Sequence, residues 1–435
     1  MTITYEPSQT EYWDETDLRS ELTRVYDLCH GCRVCFNLCT SFPTLFAFID
    51  AHDDQDAHKL TRAQQDQVVT ECFQCKKCYV VCPYTPDQSH EWQLDFPRLM
   101  LRAAAQRKKH SRLNLADQML GRTDLLGKLG TSAAPLANAM IGKPGSLPRK
   151  LMERVVGIAA QRVLPPYAKQ RFASWFKKRS RAMIDTSQAN VSVFPTCIVE
   201  YQNPAIGKDL VGIYERNRVT CSVEPGVGCC GAPWLHSGDF DSFRDQARKN
   251  IQPLAQAVKS GRDIVVPQPT CSYVLKKDYP AYFAHEPEAG DAALIGAHTY
   301  DASEYLWKLH KGEDTSFDID FSGGFVPATT SYHVSCHLQA QNIGLKSRDL
   351  MKLTGTKITL VNKCSGIDGT WGYRKDNFAI AKKMSKALAE SLVAANSDTV
   401  TGDCHLANGA ILEDTGVQPT HPLQFIARAY GLPED

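Results

Sequence analysis

The sequence predicts an α + α/β architecture: an α-helical N-terminal module, a basic helical connector, then two repeated α/β units with mainly parallel sheets. Three observations predict it. Apolar residues recur at helical spacing around two cysteine runs near the N-terminus. Cations crowd one stretch of the middle of the chain. The C-terminal half alternates strand-like and helix-like segments twice over. The expected boundaries are 1–97, 98–185, 186–300 and 301–435.

With 435 residues the chain is too long for one ordinary domain. Its 43% hydrophobic and 22% charged residues are a soluble globular composition with apolar mass for real cores. The opening, "MTITYEPSQTEYWDETDLRS", lacks the basic and apolar regions of a signal peptide. No uninterrupted apolar run reaches the length of a membrane-spanning helix. The expectation is a cytoplasmic chain whose 16 cysteines are reduced, so that clustered ones are ligands rather than crosslinks.

The N-terminal module is defined by two such clusters. "CHGCRVCFNLC" supplies Cys29, Cys32, Cys35 and Cys39; "CFQCKKCYVVCP" supplies Cys72, Cys75, Cys78 and Cys82, followed by Pro83. Zinc sites usually take two close ligands from each of two segments. Two full C-x2-C-x2-C-x3-C runs are instead the signature of a two-cluster ferredoxin, although Thr40 stands where the first run would carry its proline. Three thiolates two residues apart wrap one face of an iron–sulfur cube, and the fourth points to the neighbouring cube. Cys29, Cys32, Cys35 and Cys82 are therefore expected to hold one [4Fe–4S] cluster, and Cys72, Cys75, Cys78 and Cys39 the other. Zinc or uncoordinated thiols are the competing readings. The flanks are helical: "DETDLRSELTRVYDL" spaces Leu18, Leu22, Val25 and Leu28 along one face, and "LTRAQQDQVVTEC" leads into the second run.

The connector stands out by charge. From Arg98 to Ala182 there are 19 Lys and Arg against Asp117, Asp124 and Glu153, a net +16 in a chain whose total is +1. "RKLMERVVGIAAQRVL" reads as one helix with Leu151, Met152, Val155, Ile158, Ala159 and Val163 on one face. "YAKQRFASWFKKRSR" sets Phe172, Trp175 and Phe176 beside Lys177, Lys178, Arg179 and Arg181. A basic amphipathic helix with aromatics suits an anionic membrane surface, met peripherally on the inner face of the cell membrane. A hairpin packed on its own protein and a docking face for an acidic partner are the alternatives. No nucleic-acid motif accompanies the charge, so no nucleic-acid partner is expected.

The C-terminal half repeats one pattern. In the first copy strand-like "VSVFP" precedes Cys197, "RVTCSV" precedes Cys229 and Cys230, and "DIVVP" precedes Cys271. In the second, "SYHVS" precedes Cys336, "KITLV" precedes Cys364 and "DTVTG" precedes Cys404. The carboxyl edge of a parallel sheet is where such folds bind ligands, so distant cysteines converge on one site per unit. Cys221, inside a strand, reads as a small buried hydrophobe.

This arrangement resembles the iron–sulfur subunits that carry cysteine-rich CCG domains: those of heterodisulfide reductase, of anaerobic glycerol-3-phosphate dehydrogenase and of glycolate oxidase. The second copy, "KCSGIDGTWGYRKDN" to "GDCHLANGAI", carries the glycerol-3-phosphate likeness most closely. The resemblance implies an electron-transfer subunit, without a catalytic residue of its own, that passes electrons between a flavoprotein dehydrogenase subunit and the membrane quinone pool or another redox partner. The implied donor substrates are glycerol 3-phosphate or a 2-hydroxy acid. No GxGxxG motif is present, which places flavin on another polypeptide. A full CCG module has a lone Cys, a Cys-Cys-Gly and a Cys-x-x-Cys. Copy one departs at Val274 but keeps Cys197, Cys229, Cys230 and Cys271, enough for one further iron–sulfur cluster. Copy two departs at Ser365 and Ala407 and keeps Cys336, Cys364 and Cys404, with His337 and His405 as substitute ligands; the competing reading is a metal-free structural half. The alternative function is a heterodisulfide or thiol–disulfide reductase acting through a CCG-bound cluster, and a third is a cluster-bearing sensor or assembly protein.

Overall fold

The computed structural model describes residues 5–110, 115–183, 190–312, 317–367 and 369–433, without the side chains of 180–183. Arg181 and the expected boundary at 185/186 thus lie outside the described residues and side chains.

The N-terminal part is helical. Asp14 caps the helix Glu15–Cys32 by accepting from the Asp17 N–H, and Arg33 ends it in the left-handed region at φ 53°. Cys29 and Cys32 fall in its last turn. Helix Ser41–Asp50 follows Cys39. Helix Arg62–Glu71 opens on a Thr61/Gln64 capping box and stops at Cys72. The short helix Lys77–Val81 ends at Cys82. Cysteines therefore sit where helices stop and the backbone can turn. Leu18, Leu22, Val25, Phe42, Leu45, Phe46, Ile49 and Val68 form the core behind them. Leu99, Met100 and Ala103 of the helix Phe96–His110 belong to the same core, so the connector expected from residue 98 begins inside the N-terminal fold.

The connector departs from its sequence reading in two ways. Its expected single helix over 149–164 is broken: helix Leu147–Val156 stops at Gly157, φ 82°. Beyond the break Ile158 and Ala159 are buried, and the Ala159 N–H donates to the Tyr373 carbonyl at 2.8 Å. Second, Phe172 and Phe176 are core residues packed with Val191, Val193, Val199, Ile206 and Leu210, and are not available as membrane anchors. The cations are also used internally. Arg149 is fully buried and donates to the carbonyls of Ile141, Ala159 and Arg162; Arg162 donates to the Gly372 carbonyl and pairs with Glu413 at 3.1 Å. Arg179 pairs with Glu215. The physical reason is that guanidinium groups satisfy several carbonyls at once, which charge counting does not register.

Two small parallel sheets follow. β1 (Val191–Val193), β2 (Cys221–Ser222), β3 (Asp263–Val266) and β4 (Thr299–Asp301) form one, in the order β2-β1-β3-β4. β5 (Thr329–His333), β6 (Lys357–Val361) and β7 (Thr399–Gly402) form the other, in the order β6-β5-β7. β2 is much shorter than "RVTCSV" suggests. β4 lies across the boundary expected at 300, because its pairing with Ile264–Val266 is a long-range event with no periodic signal of its own. Cys221 is buried in the core around β1. Tyr332, Leu350 and Phe425 join that same core, so the two α/β units share apolar packing.

Candidate metal centres

Two groups of thiols meet in the N-terminal fold. Burial pushes the Cys29 thiol up, and its next largest influences are Cys35, Cys82 and Cys32. Cys35 is pushed up to about 12 by burial and then by Cys82 and Cys32. These four make an outer set, with the Tyr84 hydroxyl hydrogen-bonded to Cys32. Cys39 is raised by burial, then by Cys75 and Cys72; Cys78 by burial, then by Cys75, Cys72 and Cys39. These form an inner set. Cys35 also acts on Cys78, so the sets are neighbours. Each set combines three cysteines of one run with the last of the other.

In the first α/β unit, β1, β2 and β3 deliver Cys197, Cys229/Cys230 and Cys271 to one sheet edge. The Cys230 sulfur donates to the Cys271 sulfur at 3.3 Å. Hydrogen bonding to Cys197 and then Cys230 drives the Cys229 thiol well below its usual range. Asp124, from the connector helix Thr123–Ser132, accepts from the Cys229 N–H at 2.9 Å and from the Tyr201 hydroxyl at 3.3 Å. Burial raises that carboxyl, with Cys229 the next cause. The only sequence signal for Asp124 was that it is a rare acid in a basic stretch.

The second unit repeats the loop but not the thiols. The Gly231 N–H donates to Cys229 Sγ at 3.4 Å, and the Gly366 N–H to Cys364 Sγ at 3.3 Å. Both glycines have positive φ, 91° and 64°, and a Cβ would lie 2.8 Å from the Phe243 ring and 2.0 Å from the Ala381 carbonyl oxygen. So "Cys-Cys-Gly" and "Cys-Ser-Gly" adopt one geometry. Ser365, in place of the second thiol, is buried with its hydroxyl on the Ile367 carbonyl at 3.4 Å. Cys336 opens the helix Cys336–Ala340, and Cys404 stands immediately before the helix His405–Thr415.

Cys364 connects the two halves of the molecule. Burial raises its thiol to about 12; Cys75 is the next cause and Cys39 a smaller one. It therefore borders the inner set. His337 is turned to neighbouring segments: its Nδ1 lies 3.2 Å from Thr270 Oγ1, it hydrogen-bonds the Gln74 backbone, and its ring stacks on His236 at 5.9 Å. Burial holds His405 down to about 4, so its imidazole is neutral near pH 7. His236, absent from the sequence reading, sits between the units with both ring nitrogens shielded from solvent.

The donor chemistry fits iron–sulfur clusters. Among the described residues no three His, Cys, Asp or Glu side chains gather as tightly as a single metal ion requires. A polynuclear cluster holds each thiolate on a different iron and spaces the sulfurs wider. Outer-set, inner-set and copy-one thiols each number four, and burial disfavours the bare thiolates of Cys29, Cys35, Cys39 and Cys78, the electrostatics that a cationic metal core reverses.

Residues 191–276 and 330–407 match the family described as the cysteine-rich domain, CCG. The molecule thus carries two regions that match the CCG domain, and the proteins it is similar to include subunits of oxidoreductases. Among its relatives is a component of the anaerobic glycerol-3-phosphate dehydrogenase of Escherichia coli (strain K12), 27% identical over 73% of this chain and 78% of that protein. Lactate utilization protein A of Shouchella clausii is 28% identical over 49% of this chain and 87% of its own length. A component of the fumarate reductase (CoM/CoB) of Methanothermobacter marburgensis is 26% identical over 56% and 47% respectively.

Proposed function

We propose that this chain is an iron–sulfur electron-transfer subunit working between a flavin-containing dehydrogenase subunit and membrane quinone. The observation that carries the reading is the succession outer set, inner set, Cys364. Each step is an electrostatic neighbour of the next. The outer set (Cys29, Cys32, Cys35, Cys82) and inner set (Cys72, Cys75, Cys78, Cys39) would each hold a [4Fe–4S] cluster. Cys197, Cys229, Cys230 and Cys271 would hold a further one. Bound clusters supply one-electron carriers that split the two-electron output of a flavin donor. The protein's part is to bury the sulfurs, exclude water and keep the groups near one another. The likeness to subunits of glycerol-3-phosphate dehydrogenase and of fumarate reductase supports a partner dehydrogenase or reductase subunit. Glycerol 3-phosphate or a 2-hydroxy acid is the substrate class proposed for that partner.

A cytoplasmic chain held peripherally on the inner face of the cell membrane completes the reading. Three connector helices leave apolar stripes at i, i+4 spacing exposed: Leu125 and Leu129; Leu136 and Met140; Leu147, Leu151 and Val155. Exposed Lys128, Lys143, Lys150 and Arg154 lie among them. That combination suits an anionic lipid surface. Among the described residues no helix is long and apolar enough to cross a membrane.

The close Cys230–Cys271 pair supports a second reading, a thiol–disulfide reductase working at the copy-one site. Anaerobic metal and sulfide analysis tests the main one. Wild type is expected to bind about eight irons in the N-terminal sets, as two [4Fe–4S] clusters require. Cys75→Ser is expected to remove one low-temperature EPR signal and leave the other. Stoichiometric zinc without labile sulfide overturns the reading. Reduction of a model disulfide by protein lacking any flavin partner would favour the reductase.

A further inference from the structure

The loops that carry the outer set reach the surface with apolar side chains. Val34 is 56% exposed, Phe36 45%, Val80 44% and Val81 47%. Val34 and Phe36 flank Cys35, and Val80 and Val81 immediately precede Cys82. Cys35 and Cys82 are electrostatic neighbours, so both apolar pairs border the same sulfurs. The backbone turns them outward. After Arg33 the chain folds in tight turns, with the Phe36 N–H on the Arg33 carbonyl at 3.1 Å and the Leu38 N–H on the Cys35 carbonyl at 3.0 Å. Cys35 is thereby buried while both neighbours are exposed.

Arg33, the cation next to Val34, is paired with Asp50, which leaves the acids to set the charge near this patch. Residues 1–110, which include the helix Phe96–His110, carry 16 Asp and Glu against 12 Lys and Arg, a net −4. Asp27, Asp87 and Glu91 are exposed close in sequence to Cys29 and Cys82. The inner set, by contrast, faces Cys364 of the same chain. An outside molecule exchanging electrons with the N-terminal clusters therefore meets the outer set first.

We propose that Val34, Phe36, Val80 and Val81 form the docking surface for a protein redox partner that presents an apolar centre ringed by Lys and Arg. The inference rests on the reading that Cys29, Cys32, Cys35 and Cys82 hold a redox cluster. An apolar centre excludes water, and complementary rim charge steers encounter and sets orientation. Exchange moves one electron and makes or breaks no bond. The exposed Asp27, Asp87 and Glu91 would repel an anionic lipid surface.

The test uses cytochrome c, a cationic redox protein with an exposed haem edge. Full-length protein is reduced with dithionite under anaerobic conditions and mixed with ferric cytochrome c in a stopped-flow instrument. The wild-type second-order rate is expected to fall as salt rises. V34K/V81K is expected to lower it about tenfold or more by like-charge repulsion, and the milder V34T/V81T by about threefold. Val393→Lys, a change at an exposed valine of the second α/β unit, should leave it unaltered. Oxidation by a small neutral benzoquinone should be the same in all four proteins, as should iron content. Wild-type rates in V34K/V81K with iron intact overturn the docking surface. A dimer that forms with concentration and is lost in V34K/V81K overturns it in favour of a second copy. Wild type without iron and labile sulfide removes the electron-transfer reading itself, and the docking surface with it.

Discussion

Lys77 donates through its ammonium to the Asn362 side-chain oxygen at 2.7 Å, joining residues 285 positions apart. One stands next to Cys78 of the inner set; the other lies two residues before Cys364. The bond ties the N-terminal fold to the second CCG unit where their thiols approach.

Lys77 is nearly buried, so removing its acceptor leaves an ammonium short of a partner. Asn362→Ala is expected to cost about 1.5–3 kcal/mol, the range for a hydrogen bond to a charged group. In a double-mutant cycle with Lys77→Ala the losses should be less than additive. Additive losses in thermal unfolding would show that the contact carries no coupling between the two parts.

The two CCG units should differ in metal. Copy one gathers four thiols with a sulfur–sulfur approach of 3.3 Å, whereas Ser365 in copy two spends its hydroxyl on a carbonyl. A hydroxyl is a poor substitute for a thiolate on iron. Cys230→Ala is expected to abolish any EPR signal beyond the two N-terminal clusters. Cys364→Ala should keep iron content within one cluster of wild type and shift the signal of the inner set, which Cys364 borders. The opposite pattern would move the extra cluster to Cys336, Cys364 and Cys404.

Membrane contact should follow the exposed leucines of the connector, not its aromatic segment. A variant with Leu129, Leu147 and Leu151 changed to Ser is expected to lose most binding to vesicles containing anionic phosphatidylserine. Three exposed leucines account for several kcal/mol of apolar transfer. Neutralising Lys177 and Lys178 should have the smaller effect, because the neighbouring Phe172 and Phe176 are buried in the core. Equal binding of the leucine variant and wild type at low salt would transfer this face to a protein partner.

Asp301 gives a pH signature. Burial, with Asp403 the next cause, raises its carboxyl to about 8 in the fold, far above the unfolded value. The folded state therefore holds a proton that the unfolded chain releases. The contribution of Asp301 to stability is greatest below about pH 4, falls as pH rises toward about 8, and is level above it. Asp301 also caps the helix Ala302–Lys311 through the Ser303 N–H, a role asparagine can keep. Asp301→Asn is expected to raise the melting temperature at pH 8, by on the order of a few kcal/mol in stability, and to flatten the profile between about pH 4 and 8. An unchanged profile would show that another group governs it.

Much of the site was legible in sequence because thiol spacing is local. The four-cysteine runs name their own members, and apolar residues at helical spacing mark their flanks. The glycines of "Cys-Cys-Gly" and "Cys-Ser-Gly" take positive φ in both loops, a conformation that glycine adopts without strain. The connector was not legible in the same way. Its amphipathic pattern is real, but a periodic stripe does not say whether it faces lipid or core, and Gly157 breaks the stripe in two.

By itself the sequence determined the mixed helical and parallel-sheet class of fold and the repeated α/β pattern, since each depends on residue types a few positions apart. Tertiary structure alone decided that Arg149 and Arg162 are buried against carbonyls, that Asp124 reaches the Cys229 loop, and that Cys364 lies beside Cys75. These are contacts between segments far apart in the chain. Burial and chain packing set them, and no local spacing carries that information.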